Sequence, residues 1–541
     1  MTRIFTAIAA AFALFLPTIA NANDWYRAES EHFILYSEDS EEDTREFVQD
    51  LERLDEVLRI MSGVGANHGD LPPSSKVTVF RFGETRDMSV LLAGNRNSGV
   101  GGFFIGRATG SVAFVPRQAN RRRTRGTRDG LPRDLQLDPK GVLFHEYVHY
   151  FMFQHRDAPY PLWYSEGFAE LFSNVEFHED HFVIGEVPTV RSPFLARNAV
   201  DLEKTFDPPA RPDRYTSGRT YAHGWLIASH LNLNPERRGQ MGAYMNAIAA
   251  GNTPMEAAEI AFGDLDVLHR ELEEFRQGRA HVLRVPYAVD ANPEVEVRRL
   301  TEEEEARMDL MIASKRGVDE ETAEELVGDA RRLVAEYPQS VAVLLAATEA
   351  EFDARNYDEA ESLAERVLAL EPESTQAAIY LADIALRRSF EDPSQLVEAR
   401  RRFAAANRME NDHAYPLYGY YLTFLLDESE PMTDSAKLAL EGAFAYAPYD
   451  RGVRQALIHM LLLEDRPAEA RVVGASYITG NGTFACVMRK KYDEYADGNR
   501  EPLLEALRPD HPGENLSEEE REAEREEFEA EAEEYGCEID H

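Results

Sequence analysis

A repeat with a period of 34 residues constrains the second half of this 541-residue chain more than any other feature of its sequence. Pro338 and Pro372 lie one period apart, and residues 341–374 form one complete unit. Small or apolar residues recur in the unit at regular offsets, namely Leu344, Ala347, Tyr357, Ala360 and Leu368. Because so short a unit cannot bury its own apolar face, neighbouring units must stack on one another. The period therefore predicts an all-α solenoid of helix pairs.

The repeat resembles the tetratricopeptide family. Residues 356–360, Asn-Tyr-Asp-Glu-Ala, and 370–372, Leu-Glu-Pro, match that pattern closely. Residues 323–338 correspond to the second helix of an earlier unit, and weaker copies cover 375–412 and 413–448, with a degraded unit around 468–470. The alternative, generic amphipathic helices, does not explain the period from proline to proline. The resemblance implies a concave surface that binds peptides or a protein partner.

Residues 144–150, Phe-His-Glu-Tyr-Val-His-Tyr, carry a pattern that is typical of zinc enzymes. His145 and His149 are four positions apart, so both imidazoles lie on one face of a helix and can reach one ion. Glu146 is adjacent to the first histidine, where its carboxylate can accept a proton from water at that ion. A catalytic zinc site needs a third protein ligand and an open position for water.

The third ligand is expected from residues 162–170, Leu-Trp-Tyr-Ser-Glu-Gly-Phe-Ala-Glu. Glu166 and Glu170 are themselves four apart and face the same way on a second helix. One of them can bind the metal while the other supports a histidine ligand. The alternative is that both glutamates only solvate a helix, which the apolar and aromatic residues around them disfavour.

These two segments together resemble the gluzincin zinc peptidases, including the peptidase MA-like family. The similarity is specific for residues 141–172 and looser for 25–279. It implies an α+β zincin-like catalytic domain with His145, His149 and Glu166 as zinc ligands, Glu146 as general base and Glu170 as the carboxylate behind a histidine. It also implies that Val112–Val115 is the edge strand on which a peptide substrate aligns.

The resemblance departs from the aminopeptidases of that group. The gap between His149 and Glu166 is about two residues shorter, and the sequence Gly-Ala-Met-Glu-Asn of their exopeptidase element has no clear copy here. An endopeptidase, or an enzyme with a narrow range of substrates, is therefore the expected activity.

Attack of water on an amide also needs a donor to the oxyanion that forms. Gluzincins place a Tyr or His on a helix beyond the third ligand, and Tyr221 is the first candidate by that resemblance, followed by His223 and Tyr215. The alternative is that Tyr221 packs in the core. Three further histidines are expected to lie in loops or turns rather than at the metal, namely His155, His178 and His181.

The N-terminus predicts export. Arg3 precedes an apolar stretch from Ile4 to Ala20, and Ala20-Asn21-Ala22 fits the small-residue cleavage site of a signal peptide. An uncleaved anchor is the alternative; no later segment is apolar enough to span a bilayer. The net charge of −40 argues against nucleic acid or an anionic membrane as partner. The basic run at 117–128 is expected to be a solvated loop.

Alternation and turn residues predict strands at 33–36, 76–80, 103–105 and 112–115, a hairpin at 175–183, and helices at 41–61, from 141 onward and at 219–279. The expected layout is a signal peptide (1–22), a zincin-like domain (23–284), a linker (285–312), a tetratricopeptide domain (313–485) and an acidic tail (486–541). Cys486 and Cys537 either pair in an oxidising compartment or remain free thiols.

The sequence thus predicts a periplasmic or secreted zinc peptidase whose repeats recruit a protein substrate or partner. The alternative is a non-catalytic scaffold of the cell envelope, in which the repeats carry the function and the metal site is structural or silent. The intact Glu146 favours the enzyme, because a structural site needs no base.

Overall fold

A six-stranded mixed sheet organises the N-terminal region in the computed structural model. The structure describes residues 24–65, 71–93, 101–118, 138–156, 158–208, 213–278, 282–286, 293–479, 482–514 and 517–539. The predicted signal peptide and most of the basic run lie outside these residues. The strands are β1 (Tyr26–Glu29), β2 (Phe33–Ser37), β3 (Val77–Arg81), β4 (Phe103–Ile105), β5 (Val112–Val115), β6 (Glu176–Phe177), β7 (His181–Ile184), β8 (Leu283–Pro286) and β9 (Glu296–Arg299).

The strand order in the large sheet is β4-β5-β3-β2-β1-β9. β2, β3 and β5 run parallel, whereas β4 pairs antiparallel with β5, and β1 pairs antiparallel with both β2 and β9. Every residue of β2 is buried, as expected for a strand covered on both faces. Residues 176–184 form the predicted hairpin, and its second strand also pairs with β8.

Helices cover both faces of the sheet. Phe33 and Leu35 belong to the main core with α1 and α3, while Ile34 and Tyr36 face a second apolar cluster. The helices up to residue 316 are α1 (Glu41–Ser62), α2 (Thr85–Ala93), α3 (Pro139–His155), α4 (Leu162–Phe172), α5 (Ser192–Arg197), α6 (Leu202–Phe206), α7 (Thr216–Gly218), α8 (Gly224–Leu233), α9 (Gln240–Ala249), α10 (Pro254–Phe262), α11 (Leu265–Gln277), α12 (Glu302–Ala306) and α13 (Met308–Arg316).

The expected linker at 285–312 differs from what the structure shows. Strand β9 completes the large sheet beside β1, and β8 joins the small one. Leu300, Met308 and Ile312 are buried in the cluster on the second face of the sheet. Burial of these apolar side chains ties the segment to the N-terminal region, although its Pro and charged residues are typical of a linker.

The region after residue 316 is all-helical, and a helix pair coincides with each predicted repeat unit. The helices are α14 (Glu320–Glu336), α15 (Val341–Asp353), α16 (Tyr357–Leu370), α17 (Thr375–Arg388), α18 (Gln395–Met409), α19 (Ala414–Leu425), α20 (Asp434–Tyr446), α21 (Arg451–Leu463), α22 (Pro467–Val473), α23 (Ala475–Ile478), α24 (Thr483–Ala496), α25 (Glu501–Leu507) and α26 (Glu518–Glu534). Besides packing within pairs, α13 contacts α15, α15 contacts α17 and α17 contacts α19. We call these four helices the first-helix row.

The acidic tail is tied to the helical region. A disulfide joins Cys486 in α24 to Cys537, just beyond α26, so the structure pairs the two cysteines whose state the sequence left open. Val487, Ala532 and Cys537 form a small apolar cluster beside it. Within the described residues, no helix is both long and apolar enough to cross a membrane.

Replacing Ile312 by alanine tests whether the segment 293–316 stabilises the sheet. Ile312 is 6% exposed, and its loss leaves a cavity against the second face of the sheet. We expect Ile312→Ala to lower the free energy of unfolding by about 2–5 kcal/mol. Urea denaturation of the mature protein measures the change. Asp309→Ala, at an exposed position of the same helix, is the control, and equal stability of the two variants would contradict the assignment.

Candidate metal centre

Helix α3 presents the two histidines because its other sides are buried. Asp138 caps the helix by accepting a hydrogen bond from the backbone N–H of Gly141, and Pro139 takes the first helical position. Phe144, Val148 and other apolar residues of α3 pack in the main core. His145 and His149 lie on the remaining, partly exposed face, with ring centroids 4.9 Å apart.

Helix α4 brings Glu166 to the same face. It begins after Pro161 and buries Trp163, Phe168 and Phe172 in the core. Its position depends on a close crossing with α8, since a Cβ atom on Gly167 would lie 2.2 Å from the carbonyl carbon and oxygen of Gly224. A Cβ atom on Gly224 would in turn lie 2.4 Å from the carbonyl oxygen of Trp163. Only glycine at both positions permits this approach.

Three ligand atoms form a small triangle. Nε2 of His145 lies 3.0 Å from Oε2 of Glu166 and 3.2 Å from Nε2 of His149, and the latter nitrogen lies 3.5 Å from the same carboxylate oxygen. A tetrahedral zinc ion with bonds of about 2.0–2.1 Å holds its ligand atoms about 3.3 Å apart. The triangle therefore has the size that zinc requires, and two imidazoles with one carboxylate are a common donor set for a catalytic site.

This is the one group of its kind in the part of the chain that the structure describes. Elsewhere among those residues, three or more His, Cys, Asp or Glu side chains do not bring ligand atoms within 4.8 Å of one another. The structure thus brings together the three residues that the sequence predicted as ligands.

Charges around the triangle favour an ionised Glu166. Burial disfavours its charged form, but hydrogen bonds with His145 and His149 outweigh that effect and lower its pKa to about 2. Burial alone would lower the pKa of His145, but Glu166, Glu170 and Glu146 outweigh it and raise that pKa above the ordinary value for histidine. For Glu146 burial is the largest effect and raises its pKa above the usual value for a carboxyl group.

Side chains behind the triangle orient the histidines. Oε1 of Glu170 lies 3.5 Å from Nδ1 of His145, in the supporting position that the sequence predicted. Ser165 Oγ lies 3.0 Å from Nδ1 of His149, and Arg191 donates to Oε1 of Glu170 at 2.7 Å. Sequence reasoning missed both. Ser165 had a signal, its place next to Glu166, but Arg191 comes from a loop 21 residues beyond Glu170 with no pattern linking them.

Tyr221 faces the triangle from a π-helical turn, Arg219–His223, between α7 and α8. Its ring centroid lies 6.0 Å from that of His145, and the Arg191 guanidinium stacks over the tyrosine ring at 4.5 Å. Burial and the nearby Glu166 raise the pKa of Tyr221 to about 12, so its hydroxyl stays protonated and can donate a hydrogen bond. Single π-helical turns of this kind recur at functional sites.

The two lower-ranked donors lie elsewhere. His223 is 1% exposed and packs against Phe194, and within the described residues neither of its ring nitrogens has a hydrogen-bond partner. Tyr215 is 38% exposed and stacks on Arg214. Tyr221 is therefore the member of the three that approaches the candidate ligands.

The three histidines that were expected in loops or turns lie away from the triangle. His155 is at the end of α3, where burial and Arg59 lower its pKa to about 4. His178 and His181 stack on each other at the β6–β7 turn, with ring centroids 4.5 Å apart.

The expectation that β5 is the edge strand was wrong. β5 (Val112–Val115) is paired on both sides, with β3 and with β4, so the outermost described strand at this end of the sheet is β4. The antiparallel strand β4 lies outside β5, and both β4 and β5 pack against α3. Phe104 of β4 lies 5.2 Å, between ring centroids, from Tyr150 of that helix. A peptide aligned on this sheet would therefore pair with β4.

No family model matches this chain, and no curated protein is significantly similar to it. A functional interpretation therefore depends on the geometry of the site itself.

Replacing Gly167 by alanine tests the crossing that places Glu166. The added methyl group has no room beside Gly224, so we expect Gly167→Ala to separate α4 from α8 and to destabilise the protein by about 1–3 kcal/mol. Urea denaturation checks the change. The matched control is Gly242→Ala in α9, where no atom lies within 4 Å of the added Cβ. That variant should gain up to about 1 kcal/mol from helix propensity. Similar stabilities for both variants would contradict the packing argument.

Proposed function

We propose that this protein is an exported zinc-dependent peptidase of the gluzincin type. The observation that carries the proposal is the triangle of His145, His149 and Glu166, whose separations of 3.0, 3.2 and 3.5 Å match a tetrahedral zinc site. Glu146, next to the first ligand, supports a catalytic rather than a structural role. Export remains a prediction from the N-terminal sequence.

The chain's own groups suit peptide hydrolysis. Zinc held by the triangle would polarise a substrate carbonyl and lower the pKa of water. Glu146, half-buried beside the histidines, is placed to accept the proton of the attacking water and to deliver it to the leaving amine. The Tyr221 hydroxyl, protonated at neutral pH, is the donor to the oxyanion.

Two further features fit a peptide substrate. Among the residues that the structure describes, no strand pairs with the outer side of β4, which lies beside α3, so an extended peptide can add there as a further strand. Glu170 and Arg191 hold the histidine and the tyrosine in position, so the groups around the ion are fixed before substrate binds.

The purified mature protein should contain about one zinc ion per chain. His149→Ala removes one of three ligands and should abolish tight binding, while Glu166→Gln, which replaces an anion with a neutral amide, should weaken it. Metal analysis of the dialysed proteins measures both. His178→Ala, at an exposed hairpin turn, is the matched control and should keep its zinc. A wild type without zinc, or full retention by His149→Ala, would overturn the ligand assignment.

Glu146→Gln should keep zinc and fold but lose hydrolysis. The substitution preserves side-chain size and removes the basic carboxylate, so we expect turnover to fall by about 10²-fold or more. Tyr221→Phe should also keep zinc and lose about 10²–10³ in turnover if its hydroxyl stabilises the oxyanion. A casein or peptide-library assay supplies the substrate.

Glu179→Gln, on the exposed β6–β7 turn, is the matched control for these activity measurements and should behave like wild type. Equal activity of wild type and Glu146→Gln would refute the peptidase. The remaining explanation would then be the non-catalytic scaffold, in which the helical region binds a partner and the metal site is silent.

A further inference from the structure

The turn between β4 and β5 lies against α13 and against the helical region that follows it. Arg107 donates to the backbone carbonyls of Lys315 and Arg316, each at 3.2 Å, at the end of α13. Ala108 is 5% exposed and belongs to the same apolar cluster as Leu386 of α17 and Tyr421 of α19. The tip of this hairpin therefore packs on the first-helix row. Of that row, α15, α17 and α19 belong to the predicted repeats.

Tyr449, in the turn between α20 and α21, connects the hairpin with the candidate metal helix. A Cβ atom on Gly106 would come within 2.8 Å of the Tyr449 ring. The two segments of the chain therefore approach each other closely because Gly106 has no side chain. On its other side Tyr449 contacts Tyr150, the residue after the ligand His149, with ring centroids 5.2 Å apart. Tyr150 also contacts Phe104 of the edge strand.

Asp450, the next residue, accepts two hydrogen bonds, one from its own helix α21 and one from the hairpin. Oδ1 accepts from the backbone N–H of Val453 at 2.9 Å and caps α21. Oδ2 accepts from the backbone N–H of Ala108 at 2.8 Å. A shorter capping side chain would satisfy the helix equally well. The second bond is therefore an addition that serves the hairpin.

A second segment of the chain crosses the same part of the helical region. Pro512 accepts a hydrogen bond from Arg387 of α17 at 2.7 Å, and His511 lies 3.0 Å from Ser389. Gln455 of α21 donates to the carbonyl of Arg508 at 3.4 Å. These contacts place other residues of the chain itself on part of this surface.

We infer that the helical region acts as an intramolecular clamp on the β4–β5 hairpin, with Tyr449 and Asp450 as positioning residues for the edge strand that receives the peptide. The inference rests on the proposed peptidase function for the role of β4. The clamp itself rests on the contacts alone. The bonds of Arg107 to α13 and of Ala108 to Asp450 hold two neighbouring residues of the tip, and Tyr449 fixes the distance between the edge strand and α3.

Asp450→Ser in the full-length zinc protein tests the clamp. Serine still caps α21 but is too short to reach Ala108, so the helical region should stay intact. Loss of this charge-assisted bond should speed hydrogen exchange of residues 101–112 about tenfold. Asp264→Ser is the matched control, because Asp264 caps α11 by accepting from the backbone N–H of Val267 and is exposed at the start of a helix that packs on α5, α8 and α10. It should leave exchange at 101–112 unchanged.

Arg107→Gln removes the bonds of the neighbouring tip residue to α13 and should speed exchange of the same residues. If neither Asp450→Ser nor Arg107→Gln differs there from wild type and Asp264→Ser, the clamp does not exist. Exchange is measured without any substrate, so this result is separate from a failure of the peptidase proposal, which Glu146→Gln decides. With an active substrate, Asp450→Ser should raise KM severalfold and leave kcat within about twofold. A fall in kcat at unchanged KM would overturn the positioning role.

Discussion

The candidate site depends on one steric constraint, the crossing of α4 and α8 at Gly167 and Gly224. Glu166 precedes the first of these glycines, and Tyr221 lies one turn before the second. Because the two backbones approach closely enough to exclude a Cβ atom, the candidate third ligand and the candidate oxyanion donor keep a fixed separation. Side-chain packing with larger residues would tolerate shifts of an ångström or more, and shifts of that size are costly in a catalytic site.

Polar groups on the side of α3 away from the candidate ligands fix the position of that helix. Tyr147, on the helix side opposite the ligands, donates to Asp55 of α1 at 2.7 Å, and the same carboxylate accepts from Arg59. His32 lies 2.7 Å from Glu52 in the adjoining part of the network. Rotation of α3 would take the Tyr147 hydroxyl away from Asp55, which keeps its ion pair with Arg59, and would leave a buried hydroxyl without a hydrogen-bond partner. The network therefore resists rotation of the histidines as well as holding two helices together.

Periodicity within one helix was readable from the sequence, whereas contacts between distant segments were not. The four-residue spacing of His145 and His149, and of Glu166 and Glu170, predicted which side chains share a face, and the structure brings them together. Strands at 103–105 and 112–115 were predicted with the correct bounds, but not their order in the sheet, because pairing depends on segments far away in the sequence. For the same reason β9 was taken for a linker: its short, charged sequence becomes a strand only beside β1.

The repeats show the limit of an argument from pattern most clearly. A period of 34 residues predicts that helix pairs stack, but it does not determine which other segment packs on the first-helix row. That choice belongs to a few residues outside the period: Gly106, which has no side chain, and Asp450, whose second oxygen reaches Ala108 across 342 positions of sequence. Closing a loop costs about 0.6 kcal/mol more for each doubling of its length, and the packed helices between the two residues share that cost. A hydrogen bond and a ring contact therefore add the helical region to the surroundings of a candidate site that lies almost entirely in another part of the chain.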